Sequence, residues 1–370
     1  MGFYAIVCAN YVWHPIHMDF FGVWAWARFE IEQPAAQIYD HAAQQAFLLS
    51  LDPNFPVRMP FPYPPPYLLL IRPLGWVSYP IAEALWSTVT LLAYVAAIWD
   101  RKAWPLTMLL AVLAPATAVN LLYGQNGFLT AALLVGGIRL APSWPVFGGI
   151  LLGLLSYKPQ FGLLVAIALG AASLWRAAFG AALTVVVLIA ASLLAFGLEP
   201  WIAWVHSLPD FVEIVLEQRD RLLGLMPTAL SNALALGASE RFAAAIQAVV
   251  AIIAALGVWF AFRRVSIKMT AAALALASIL ASPYAFVYDL TLVAAGITLV
   301  ATESSPALSA AELLVFAVAM FLPIGMMLNV VPPIATLVHL AVFAIIIGRL
   351  CAAKPAETQQ GRVLLRDLVR

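Results

Sequence analysis

Long apolar runs separated by short polar turns recur along almost the whole chain. A run of about 20 apolar residues crosses a hydrocarbon core of roughly 30 Å as a helix, and inside lipid only helices or closed barrels satisfy their own backbone. Segments 79–99, 104–122, 177–197 and 241–262 are predicted spans of this kind. Shorter apolar runs at 128–140, 145–156, 161–175, 269–282, 286–301, 312–328 and 334–350 are predicted to complete the bundle. The pattern predicts an all-α polytopic membrane protein with about 11–12 transmembrane helices. Residues 2–15 read as a first span shorter than the roughly 17 residues usually needed. Residues 1–353 are expected to form one transmembrane domain, followed by a polar, basic tail at 354–370.

Two longer polar stretches interrupt the apolar pattern, at 17–78 and 198–240. Much of the first reads as interfacial helix, with Trp24, Trp26 and Phe29 on its apolar side, because Trp and Tyr favour that depth. The run Pro60 to Tyr67 has too many prolines for a helix interior and is expected to be extended. Leu68 to Trp76 and 225–237 are apolar but short, and are expected to be re-entrant or interfacial.

Composition narrows the classes further. Of 370 residues, 64% are hydrophobic and 10% charged, against about 25% charged in a soluble domain, which leaves no room for a sizeable soluble catalytic domain. A net charge of +1 offers no basic face for nucleic acid. Cys8 and Cys351 make neither a disulfide framework nor a metal site. With the N-terminus inside, 12 of the 19 basic residues fall at cytoplasmic junctions, as the positive-inside rule requires.

That orientation puts the unusual polar positions on one face. Asp19, the Tyr-Pro-Pro stretch, the turn Gly124 to Gly127, the turn Ser156 to Gln160, and the break Ser282 to Asp289 all land outside. Polar residues and broken helices at membrane depth are tolerated only beside protein or a water-filled cavity. One outward-facing cavity is therefore expected.

Each candidate residue has a structural and a functional reading. Asp19 is either an ordinary interfacial charge or a base held where a lipid-borne substrate meets an aqueous one. Lys158 lies between two apolar segments, where a basic residue at a span centre costs roughly 2.5–3.5 kcal/mol. It either snorkels to headgroups or serves a phosphate, helped by the helix that starts after Pro159. Gln125 and Asn126 either link two helices or hold sugar hydroxyls. Tyr63 and Tyr67 are either belt aromatics or stack on a sugar or an isoprenoid chain. Tyr284, Tyr288 and Asp289 follow the helix-breaking Pro283, and Asp289 is expected to pair with Lys158. His14 and His17 flank Pro15, which spoils their helical spacing as metal ligands. No P-loop or dinucleotide fingerprint occurs.

In order along the chain, these residues resemble glycosyltransferase family 87. The resemblance runs over about residues 17–300. It is carried by Asp19 with its aromatics, Tyr63 to Pro66, Arg72 to Leu74, Gly124 to Asn126, Gly148 to Pro159 and Ser282 to Asp289. It implies a GT-C type membrane enzyme in the inner membrane of a bacterium, with its active site facing the periplasm. Such an enzyme takes a hexose, often mannose, from a polyprenyl phosphate to a glycan or glycolipid acceptor with inversion. Asp19 then corresponds to the base. Lys158, with Arg72 and Arg219 as further candidates, is expected to bind the leaving phosphate. No metal or other cofactor is expected, since Lys and Arg suffice for a monophosphate. A carrier or flippase of lipid-linked sugars, using the same cavity without chemistry, is the alternative.

Overall fold

A computed structural model describes residues 18–55, 59–218, 222–264, 266–303 and 307–352. The expected span at 2–15, Cys8, His14, His17, Arg219 and the tail lie outside the described residues. Among the described residues every regular element is helical. The chain first forms α1 (Met18–Glu32), a 3-10 turn (Ala35–Tyr39) and α2 (His41–Leu51). Asp40 starts α2 by accepting the Ala42 and Ala43 N–H groups, which have no partner inside the helix.

Helix α1 forms where a helix is expected, and protein covers its apolar side. Phe20, Val23, Trp26, Ala27 and Phe29 are all buried. Aromatics brought back by the following segment cover them: Phe55 lies against Phe21, and Phe61 meets Trp26 edge-on at 5.2 Å. The proline run is not wholly extended. Pro66 opens α3 (Pro66–Ile71), where a missing N–H costs nothing, and a 3-10 turn (Arg72–Trp76) follows. As expected, this piece is too short to cross a membrane.

The bundle proper begins with α4 (Tyr79–Ile98), followed by α5 (Trp104–Leu113) and α6 (Pro115–Tyr123). The predicted single span at 104–122 is in fact bent by 49° between α5 and α6, because Pro115 removes a donor and cannot follow a straight helix. Thr117 Oγ1 recovers one loosened carbonyl, that of Ala111, at 2.5 Å. Next come α7 (Gly127–Leu140), α8 (Pro145–Leu154), α9 (Gly162–Ala171) and α10 (Trp175–Phe196). The second polar stretch becomes a long helix, α11 (Glu199–Glu217), and then the short α12 (Ala229–Ala235). Helices α13 (Glu240–Ala261), α14 (Ile267–Ala281), α15 (Thr291–Ala301), α16 (Ala310–Met327) and α17 (Ala335–Ala352) complete the chain.

Among the described residues, α4, α10, α13, α16 and α17 are long and apolar enough to cross a bilayer, and the bent pair α5 and α6 makes a sixth candidate. The protein is an all-α polytopic membrane protein. Burial separates lipid-facing from inner helices. Helix α10 buries only Ala177, Gly180 and Ser192, while Leu183, Val186 and Val187 face outward. By contrast α14 is buried from Met269 to Leu280 and α15 from Thr291 to Val300, the pattern of helices surrounded by protein. Helix α14 packs against α7, α13, α15 and α17. At 15 residues it is shorter than a full crossing, which protein neighbours make tolerable.

The two ends of this bundle differ. At one end Lys268 pairs with Asp100 and donates to the Thr302 carbonyl at 2.9 Å, tying α4, α14 and α15 together. Arg139 closes the same end by donating to the Ala97 and Trp99 carbonyls, which have no partner within α4. At the opposite end the helices break and leave a cavity.

Candidate active site

The cavity forms where four turns meet under one amphipathic helix. Asp19 stands in the first turn of α1, a position where the helix dipole favours an anion. The α6–α7 turn reaches it because of two glycines. Gly124 adopts φ +63°, a conformation that favours glycine, and a Cβ there would lie 2.4 Å from that of Phe20 in α1. A Cβ on Gly127 would come within 2.2 Å of the Tyr288 carbonyl oxygen. The Asn120 side chain closes the turn by accepting the Gly127 N–H at 3.0 Å. So held, Gln125 Nε2 donates to Asp19 Oδ2 at 3.2 Å.

This close fit makes a first prediction. Gly127→Ala is expected to lower stability by about 1–3 kcal/mol through overpacking and to separate the α6–α7 turn from the segment around Tyr288. Thermal unfolding in detergent checks this against Gly162→Ala, where the added methyl meets nothing within 4 Å.

The second pair of turns brings Lys158 to Asp289. Nζ lies 2.5 Å from Oδ1, with both side chains almost fully buried, so the expected pairing is found. Asp289 is itself held, because its Oδ2 accepts the Phe286 N–H at 3.1 Å. The rings of Phe161 and Tyr288 flank the ammonium at 5.8 and 5.6 Å. Asp289 engages one of the three ammonium hydrogens, and Lys158 remains a lining residue of the cavity.

Behind these charges lies a block of tyrosines. Asn126 Nδ2 donates to Tyr63 Oη at 2.8 Å, and Tyr157 shares a hydrogen bond with Thr130 at 2.7 Å. Tyr67 stacks between Tyr63 and Tyr157, with ring centroids 4.1 and 5.2 Å away. Burial pushes the Tyr63 and Tyr284 phenols well above their usual range; carboxylate charge adds to this, from Asp289 in both cases and also from Asp19 at Tyr284. Both therefore remain neutral.

Helix α11 supplies the opposite, apolar wall. Trp204, Leu208, Phe211 and Ile214 line the cavity at spacings of three or four residues, which is one helical face, and Gln218 just past the helix end continues the row. Trp204 Nε1 fastens the helix by donating to the Pro62 carbonyl at 3.3 Å. The cavity, open on one side, has a volume of about 380 Å³. One side thus carries Asp19, Gln125, Lys158, Asp289 and phenols, and the other carries indole and aliphatic groups.

The structure brings together most, but not all, of the expected residues. Asp19, Tyr63, Gln125, Lys158, Tyr284, Tyr288 and Asp289 all line the cavity. Tyr67 and Asn126 are fully buried behind Tyr63 and do not line it. Arg72 is not brought to the cavity either; it points from its 3-10 turn to Glu30, with Nε 3.3 Å from Oε2. Arg219 lies outside the described residues, in the chain between the lining residues Gln218 and Leu222. Among the described residues no group of three or more His, Cys, Asp or Glu is placed to hold a metal ion.

Sequence reasoning missed Tyr123, Tyr157 and the whole α11 wall. Tyr157 adjoined a residue already singled out, and the helical spacing of Trp204, Leu208 and Phe211 was a usable signal. The sequence model of glycosyltransferase family 87 matches residues 61–283, more than half of the chain. The matched region contains Tyr63, Gln125 and Lys158, while Asp19 and Asp289 flank it. No curated protein and no solved structure matches the chain.

Proposed function

Because the chain belongs to glycosyltransferase family 87, we propose that it transfers a hexose, mannose being the first to try, from a polyprenyl phosphate to a glycan or glycolipid acceptor. That it is a membrane glycosyltransferase follows from the family and the apolar helices. The donor and its chemistry are the proposal. The observation that carries it is the pairing, in one cavity, of a carboxylate and an ammonium with a long apolar wall. A lipid-linked sugar has the same division, with a polar head and a hydrocarbon chain.

The reaction requires two things of these residues. An acceptor hydroxyl must attack the anomeric carbon as the bond from that carbon to the phosphate oxygen breaks. Asp19 takes the hydroxyl proton, which raises the nucleophilicity of the oxygen. Lys158 stabilises the negative charge gathering on the departing phosphate. Attack from the face opposite the phosphate inverts the anomeric configuration. The cavity is proposed to face outward from a bacterial inner membrane, supported by the basic residues Arg139 and Lys268 at the other end of the bundle.

The test uses purified protein in lipid with a labelled polyprenyl phosphate mannose and measures free lipid phosphate. Release that depends on added acceptor is the expected result. Binding without release, over several sugars, would instead favour a carrier that moves the lipid between leaflets.

A further inference from the structure

We infer that Gln125 positions Asp19 for proton transfer and does not grip the sugar, an inference that rests on the reading of Asp19 as the base. Gln125 is 3% exposed, and both ends of its amide are engaged inside the protein. Nε2 donates to Asp19 Oδ2 at 3.2 Å, and Oε1 accepts the Asn126 backbone N–H at 3.3 Å. These two contacts set the sense of the amide. Turned over, it would place an oxygen against the carboxylate and an NH2 against an N–H, two repulsive contacts in place of two hydrogen bonds.

The turn that carries Gln125 is braced from three directions. Gly124 rests on Phe20 of α1, and Gly127 rests on the Tyr288 carbonyl. The neighbouring Asn126 is tied to Tyr63 Oη at 2.8 Å. The backbone that carries Gln125 is therefore fixed relative to α1, and the Gln125 amide is one of the groups that set where the Asp19 carboxylate rests. Proton transfer from an acceptor hydroxyl needs hydrogen-bond reach, and misplacement by about 1 Å is enough to cost on the order of 100-fold in rate. A residue with this role acts on kcat. One that holds a sugar hydroxyl in the ground state acts on KM.

Two variants separate these roles. Gln125→Met keeps the length of the side chain and removes the amide, and Gln125→Glu keeps the shape while changing what faces Asp19. The assay uses purified protein in lipid with polyprenyl phosphate mannose, or whichever hexose the wild type turns over. Both variants are expected to lose about 10–100-fold in kcat, with donor and acceptor KM within about twofold of wild type and a cooperative thermal unfolding transition that shows the protein is still folded. If Gln125→Met fails to fold, the isosteric Glu variant carries the comparison. A tenfold rise in either KM with kcat kept would overturn the inference and return Gln125 to sugar binding. Asp19→Asn is measured alongside. If it turns over like wild type, the base reading falls and this inference with it; if it is inactive while Gln125→Met is fully active, only the positioning role falls.

Discussion

Asp19→Asn is expected to lower transfer by about 100- to 10,000-fold, the range that a general base supplies, while leaving the protein folded. The substitution removes the carboxylate that takes the proton and keeps the size and shape of the side chain. An Asn side-chain oxygen still accepts the Gln125 Nε2 donor that Asp19 accepts at 3.2 Å, and the rest of α1 is anchored by Phe20, Trp26 and Phe29 in the core. The comparison is between single-turnover rates for release of polyprenyl phosphate, with thermal unfolding in detergent as the control for folding. Retained turnover in a folded Asn variant would remove Asp19 from the mechanism. The carrier reading gives a different outcome, since lipid binding survives and neither protein releases product.

Lys158→Met is expected to have the largest effect on stability of any substitution in the cavity. It leaves the buried carboxylate of Asp289 without its partner at 2.5 Å, and breaking a buried ion pair from one side costs about 3–5 kcal/mol. Adding Asp289→Asn removes the stranded charge and keeps an oxygen for the Phe286 N–H, which Asp289 Oδ2 accepts at 3.1 Å. The double variant is therefore expected to recover most of the melting temperature. It is not expected to recover transfer, because the leaving phosphate has lost its ammonium. Lost charge-assisted contacts of this kind correspond to about 10–100-fold in donor binding. A double variant that regains both stability and wild-type turnover would make the pair purely structural.

The inner and outer roles of the helices were only partly visible in the chain. Apolar runs located the helices of the bundle from α4 to α10 and from α13 to α17, because a bilayer demands long runs and the turns between them are polar, but they did not locate α11, which lies in a polar stretch. They did not show that α14 and α15 are enclosed by protein while α10 faces lipid, since all three are equally apolar in sequence. The bend at Pro115 is written in the chain as a proline in mid-span, but the apolar run at 104–122 shows only a single crossing and not its 49° angle. Arg72 shows the opposite limit: it stood in a motif that matched the family, but its partner is Glu30 and it does not reach the cavity.

By itself the sequence determined the membrane class, the helical architecture, and which polar residues are too costly to sit in apolar surroundings without a partner. Each of these is a local property, set by transfer free energy and by the backbone's need for hydrogen bonds. The tertiary structure decided which of the costly residues meet. Gln125 lies 106 positions from Asp19, and Lys158 lies 131 positions from Asp289. Contacts at such separations depend on how close two helices can pack, here on the missing side chains of Gly124 and Gly127, and no pattern along a single segment contains that distance.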